Sequence, residues 1–193
     1  MKRIVLSYLG LFSVAGIIIA LDQWTKWLVR TYLPYTATWV PKGMEWLLPY
    51  ARIVHWNNSG AAFGIFQNGS LVFGTLAVIV VLVIIYFYPK TDPGDWPMRL
   101  AMAMQLAGAG GNLIDRILFN GKVTDFISVG NFPVWNVADS SIVVSVAVLI
   151  VGEWWREKAS KQSSVSGEQS PVDSSEQSSV GSDQSGESDS KVS

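Results

Sequence analysis

Ile4 to Leu21 is a run of 18 residues without a charge, and Leu71 to Tyr88 is a second of the same length. Such runs are just long enough to cross a bilayer as helices. Two more mixed stretches of similar length lie at about 99–119 and 137–155. In lipid every backbone N–H and C=O must be satisfied within the protein, which leaves only helices and closed barrels. Continuous apolar runs without strict alternation favour helices. The expected fold class is a mainly α membrane protein with four transmembrane helices.

Lys2 and Arg3 precede the first run, as they would in a cleaved secretory signal. Three further spans follow, however, and Asp22-Gln23-Trp24 makes a poor cleavage site, so the run is read as the first span. Asp22 and Lys26 close it. Four apart, they lie on one helical face in the favourable order for an ion pair. Ordinary boundary charge, with Lys26 snorkelling to water, fits the same spacing.

Thr31 to Trp56 is too polar to span and is punctuated by Pro34, Pro41, Gly43 and Pro49. Ala51 to Trp56 alternates, as a strand does. Trp39, Trp46, Tyr50 and Trp56 suit the headgroup layer, so a small β segment at about 35–66 is placed on the membrane surface. His55 is read as a strand residue there. Asn57 to Phe66 reads NNSGAAFGIF, where Gly60, Ala61, Ala62 and Gly64 would let another backbone approach closely. Asn58 has an amide suited to the backbone of an extended peptide, although a plain turn into the next helix fits this composition too. In the third span Ala103, Ala107 and Gly111 recur every four residues beside Gly108, the mark of a tight helix contact. Gln105 is polar in mid-span and should face a neighbouring helix.

The four-helix domain is taken as 1–158. From Ser160 onward the chain is Ser, Gln, Gly and acidic residues, which cannot offset the entropy of ordering, so 159–193 is expected to be a disordered tail without catalytic role. A net charge of −1 excludes a nucleic-acid binder, which needs a basic face. The chain has no cysteine, which removes disulfides, thiolate catalysis, cysteine-rich metal sites and a lipidated cysteine on this chain. A single histidine, His55, argues against a zinc hydrolase.

Counting spans puts both termini on one side. The end of span one, the start of span two, the end of span three and the start of span four then share the opposite face. Gly108 to Ser141 carries three aspartates on that face: Asp115, Asp125 and Asp139. An ionisable group near bilayer depth is costly and is by default a functional candidate. Asp115, followed at once by Arg116, is read as structural, with Arg116 as its partner. Asp125 sits in the loop after span three, on a short apolar-flanked segment. Asp139 lies in the first turn of span four, where the helix dipole favours its anion. Two carboxylates brought close share one proton and titrate as a unit. The ionised member can take a proton from water while the protonated one polarises a scissile carbonyl. Such a pair needs neither metal nor cofactor. Asn112 and Asn136 are placed to orient it. On residues alone, a structural charge network remains open beside the dyad. A proton-coupled transporter using the aspartates as a relay, and a non-catalytic scaffold, are the rival classes. Lys and Arg counts on the two faces barely differ and lean toward cytoplasmic termini.

The motifs LDQWTKWLV (Asp22, Lys26), NNSGAAF (Asn58, Gly60), GNLIDR (Gly111, Asn112, Asp115, Arg116), VTDF (Asp125) and FPVWNVADSSI (Asn136, Ala138, Asp139) occur in order. Together they resemble the lipoprotein signal peptidases (signal peptidase II) over about residues 5–156. The resemblance implies four transmembrane helices, a small extracytoplasmic sheet and an aspartic dyad at Asp125 and Asp139. The other named motif residues would bind substrate or support the site. It also implies a bacterial inner-membrane endopeptidase, inhibited by globomycin and acting as a monomer among membrane lipids. Its substrate would be a prolipoprotein whose cysteine carries diacylglycerol, cut just before that cysteine. Trp135 stands where relatives more often have Phe, and the segment between the two aspartates is short for the family.

Overall fold

The computed structural model describes residues 2–60 and 69–167. Its elements run α1 (Lys2–Tyr32), β1 (Thr38–Trp39), β2 (Ala51–Asn58), α2 (Ser70–Phe87), α3 (Trp96–Leu118), β3 (Val123–Val129) and α4 (Val137–Gly167). Contacts divide the chain into Met1–Trp154 and Trp155–Ser193. In the second unit the described residues continue α4.

Three described helical segments are long and apolar enough to cross a membrane: Ile4–Tyr32, Ser70–Lys90 and Val137–Lys158. α3 is of comparable length but does not reach that apolarity. The reason is its position. Ala101, Ala103, Leu106, Ala107, Gly108, Ala109 and Gly111 are all buried, so little of α3 faces outward. Its small and polar residues contact other helices, whereas α1, α2 and α4 present Ile17, Leu71 and Val143, each about two-thirds exposed or more. Extended exposed apolar faces of this kind fit lipid rather than water. This is a membrane protein.

Leu11 and Ala15 of α1, Ile84 of α2, Tyr88 just after it, and Ala103, Leu106 and Ala107 of α3 form the core. Tyr8 Oη donates to the Ile85 carbonyl at 3.0 Å, satisfying a hydroxyl that would be costly to leave unpaired in an apolar layer. The stripe in α3 serves two contacts. Ala103 and Ala107 join the core with α1 and α2. Gly108 and Gly111 face α4: a Cβ on Gly108 would strike the Ile142 side chain and the Ala138 carbonyl, and one on Gly111 would lie 2.7 Å from Asp22 Oδ2 and 3.2 Å from Ala138 Cβ.

Several boundaries differ from expectation. α1 does not stop at Leu21 but continues about three turns to Tyr32, so Asp22 and Lys26 lie inside it. α4 runs past 155 to Gly167, so the residues after Ser160 that are described are helical. The sheet has three antiparallel strands in the order β1-β2-β3, and the third comes from the segment between α3 and α4. Asp125 therefore lies on a strand and not in a loop. α3 ends in a turn at Asn120 (φ 52°) and Gly121 (φ 82°), and the Gly121 N–H donates to the Arg116 carbonyl at 2.8 Å. That left-handed turn reverses the chain into β3.

Candidate active site

The register of β2 on β3 pairs Trp56 with Asp125 and Asn58 with Val123. Asn58 and Asp125 are thus diagonal neighbours on one face of the sheet, where side chains reach one another. Asn58 Nδ2 donates to Asp125 Oδ2 at 3.0 Å, while its Oδ1 accepts from Gly60 N at 2.9 Å. Asn58 thus supports an aspartate of the site. Ala61 to Gly64, the rest of that small-residue segment, lie outside the described residues.

After β3 the chain folds back, and Trp135 pairs with Ile127 through N–H···O=C bonds in both directions (3.1 and 2.8 Å). This delivers Asn136 to the head of α4. The Asn136 Oδ1 accepts from Asp139 N at 3.0 Å, and Asp139 Oδ2 accepts from Asn136 N at 3.3 Å. The reciprocal pair is a capping box with Asp in the third position. The same Asn136 side chain donates through Nδ2 to Asp125 Oδ1 at 2.7 Å. One residue therefore holds both acids. Asn112 completes the clamp, its Nδ2 donating to Asp139 Oδ1 at 2.7 Å.

Asp125 and Asp139 line one cavity of about 580 Å³, with Asn58, Gly60, Phe73, Asn112, Arg116 and the loop 132–135 around them. Burial pushes the Asp125 carboxyl up to about 7, and the neighbouring Asp139 charge pushes the same way. The amides of Asn58 and Asn136 and the Lys26 charge oppose that rise. Asp125 is only 2% exposed, so the environment discriminates strongly between its two protonation states.

Behind the cavity lies a second acid cluster. Lys26 Nζ contacts Asp22 Oδ2 at 2.8 Å and Asp115 Oδ2 at 3.3 Å, and all three side chains are fully buried. Snorkelling is thus excluded for Lys26. Arg30 Nη1 reaches Asp115 Oδ1 at 3.5 Å, which balances two acids with two cations. Asp115 accordingly pairs with Lys26 and Arg30, and not with Arg116 as expected, because a neighbour in a helix points about 100° away. Arg116 instead lines the cavity and donates to its own helix at the Asn112 carbonyl, 3.3 Å away.

Each carboxylate of this cluster also fastens a piece of the site. Asp115 Oδ2 accepts from Thr124 N at 2.9 Å, fixing the strand one residue before Asp125. Asp22 Oδ1 accepts from Ala138 N at 2.9 Å, capping α4 one residue before Asp139. Lys26 Nζ donates to Asn112 Oδ1 at 3.0 Å, which fixes the orientation of the amide that serves Asp139.

Three participants were missed from sequence. Gln23 Nε2 bridges Asp22, Asp115 and the Gly111 carbonyl at 3.0–3.1 Å. Arg30 donates to Thr124 Oγ1 at 3.0 Å. Arg30 follows Lys26 by four residues and shares its helical face, a signal that spacing carried. Gln23 and Thr124 adjoin named motif residues without a signal of their own. His55 lies away from the cavity, its Nδ1 2.8 Å from the Leu33 carbonyl.

The fold is shared with bacterial membrane enzymes. One solved by the in meso method superposes with a TM-score of 0.64 at 28% identity, covering 84% of this chain and 94% of that one. A second gives 0.63 at 31%, covering 73% and 90%. Residues 14–155 match the family model for Signal peptidase (SPase) II. A lipoprotein signal peptidase of Halalkalibacterium halodurans is 39% identical over 144 residues, 72% of this chain and 88% of the relative. One from Shouchella clausii is 38% identical over 154 residues, 79% and 98% of the two chains. The chain belongs to the signal peptidase II family, and it is a peptidase of lipoprotein processing.

Proposed function

We propose that this chain removes the signal peptide from prolipoproteins whose cysteine already carries diacylglycerol, cutting just before that cysteine with Asp125 and Asp139 as an aspartic dyad. The observation that carries the reading is the shared clamp: Asn136 donates to both carboxylates, through Nδ2 to Asp125 and through its backbone N–H to Asp139, where they line one cavity. A proton is shared between them at neutral pH, since two close buried anions repel. The ionised acid takes a proton from water, and the resulting hydroxide adds to the scissile carbonyl. The protonated acid gives its proton to the carbonyl oxygen. When the tetrahedral intermediate collapses, the first acid passes its proton to the departing cysteine nitrogen and the second recovers its own.

Four helices cross the inner membrane, α3 enclosed by the other three, with both termini cytoplasmic and the sheet at the outer face. This places the cavity at the bilayer edge, where a diacylglyceryl group would hold the substrate. A transporter relay is disfavoured because the acids gather at one end of the bundle.

The test is cleavage of a diacylglyceryl-modified prolipoprotein by purified protein in detergent. Wild type cuts. Asp125→Asn and Asp139→Asn elute and melt as folded protein but do not cut. Retained turnover in either variant overturns the dyad.

A further inference from the structure

Below the catalytic cavity a second one, of about 300 Å³, runs between α2, α3 and α4. The two share Phe73, Asn112 and Arg116 in their walls, so they adjoin. From there the second cavity follows Leu76, Ala77 and Val80 down α2 and Ala109, Gly108 and Gln105 along α3. Its wall is apolar apart from Gln105 and the two shared polar residues. Gln105 is half-buried, and among the described residues no hydrogen bond joins its amide to any group. An amide facing an apolar cavity at bilayer depth is costly unless something bonds to it. Gln105 thus looks toward α2 and α4 across a cavity, and among the described residues it makes no hydrogen bond to either.

We infer that Gln105 donates a hydrogen bond to an ester carbonyl of the substrate's diacylglyceryl group, with an acyl chain lying along α2. The inference rests on the proposed substrate. The dimensions agree. Gln105 lies seven residues from Asn112, roughly 10 Å along the helix. From the scissile nitrogen to the nearer ester carbonyl there are seven bonds, about 8 Å when extended. A substrate lodged at Asp125 and Asp139 thus brings its ester to the depth of this amide. A chain without an ester oxygen would leave the Gln105 donor unpaired.

The test uses two lipopeptides with the same sequence, one bearing a diacyl glyceryl group and the other its dialkyl ether, which lacks the carbonyls. Cleavage is followed in an ester-free maltoside detergent, so no lipid ester competes. Wild type is expected to show a KM about three- to tenfold lower for the ester, the worth of one net hydrogen bond. Gln105→Leu, close in size and suited to an apolar wall, is expected to raise the ester's KM to that of the ether and to leave kcat unchanged. Equal KM values for the two substrates in wild type, a comparison that needs no variant, overturn the inference and leave the peptidase reading standing. An ester preference that survives in Gln105→Leu also overturns it. Failure of wild type to cut either lipopeptide overturns both readings.

Discussion

Two pairs of aspartates are linked through Lys26 and Asn112, and they meet partners of different chemistry. Asp22 and Asp115 meet cations: Lys26 touches both and Arg30 touches the second. Asp125 and Asp139 meet amides, from Asn58, Asn112 and Asn136. A buried ion pair ties its members together, and removing either partner strands a charge. An amide stabilises the anion more weakly and leaves a proton free to come and go. The first pair therefore suits a scaffold, fastening Thr124 and Ala138, and the second suits acid–base work. The lesson is that burial alone does not distinguish a catalytic acid. What its neighbours can donate does.

The strongest way to break this division is to exchange the effects. Asp125→Asn or Asp139→Asn should lower cleavage about a thousandfold or more with the fold retained, because the proton chemistry is lost while the shape stays. Next, Lys26→Met should destabilise the protein by about 3–5 kcal/mol, since it leaves two buried carboxylates with one cation. Denaturation in detergent measures this. Adding Asp115→Asn should recover part of the loss, as coupled neighbours do. If Lys26→Met abolished cutting without any loss of stability, the scaffold role would be wrong.

A pH series sharpens the same contrast. With Asp125 held at about 7 against an ordinary 3.8, the folded protein keeps a proton that the unfolded chain has released. The folded state binds more protons in that window, so this group's contribution to stability falls as pH rises from about 4 to 7 and then levels. Cleavage should fall above about pH 7, roughly tenfold per unit, as the shared proton leaves. A kcat/KM profile flat to pH 9 would contradict the shared proton. The smallest effect is expected from Asn58→Ala. It removes a donor that favours the Asp125 anion, so the alkaline limb should move up by as much as about one pH unit.

The apolar runs were legible because lipid imposes a length and a composition that local sequence must satisfy. Strand β2 was legible through its alternation, and the family through motifs at helix ends. β3 was harder to see. Val123–Val129 is buried at nearly every position, so Asp125 and its neighbours show no alternation and read as a loop. The apolar signal of α3 was similarly muted, since a helix enclosed by other helices needs small residues more than apolar ones.

By itself the sequence determined that the chain lives in a membrane, and it singled out Asp22, Lys26, Asn58, Asn112, Asp115, Asn136 and Asp139 as motif residues. Periodicity and apolar length are local properties, and a reader of the chain can see them. Only the tertiary structure decided which charge meets which. It gave Lys26 and Arg30 to Asp115, set Arg116 on the cavity wall, and turned Asn58 toward Asp125. Those pairings depend on the close approach of α1, α3 and α4 at Gly108 and Gly111 and on the register of β2 against β3. Both are relations between distant segments, and no window of sequence contains them.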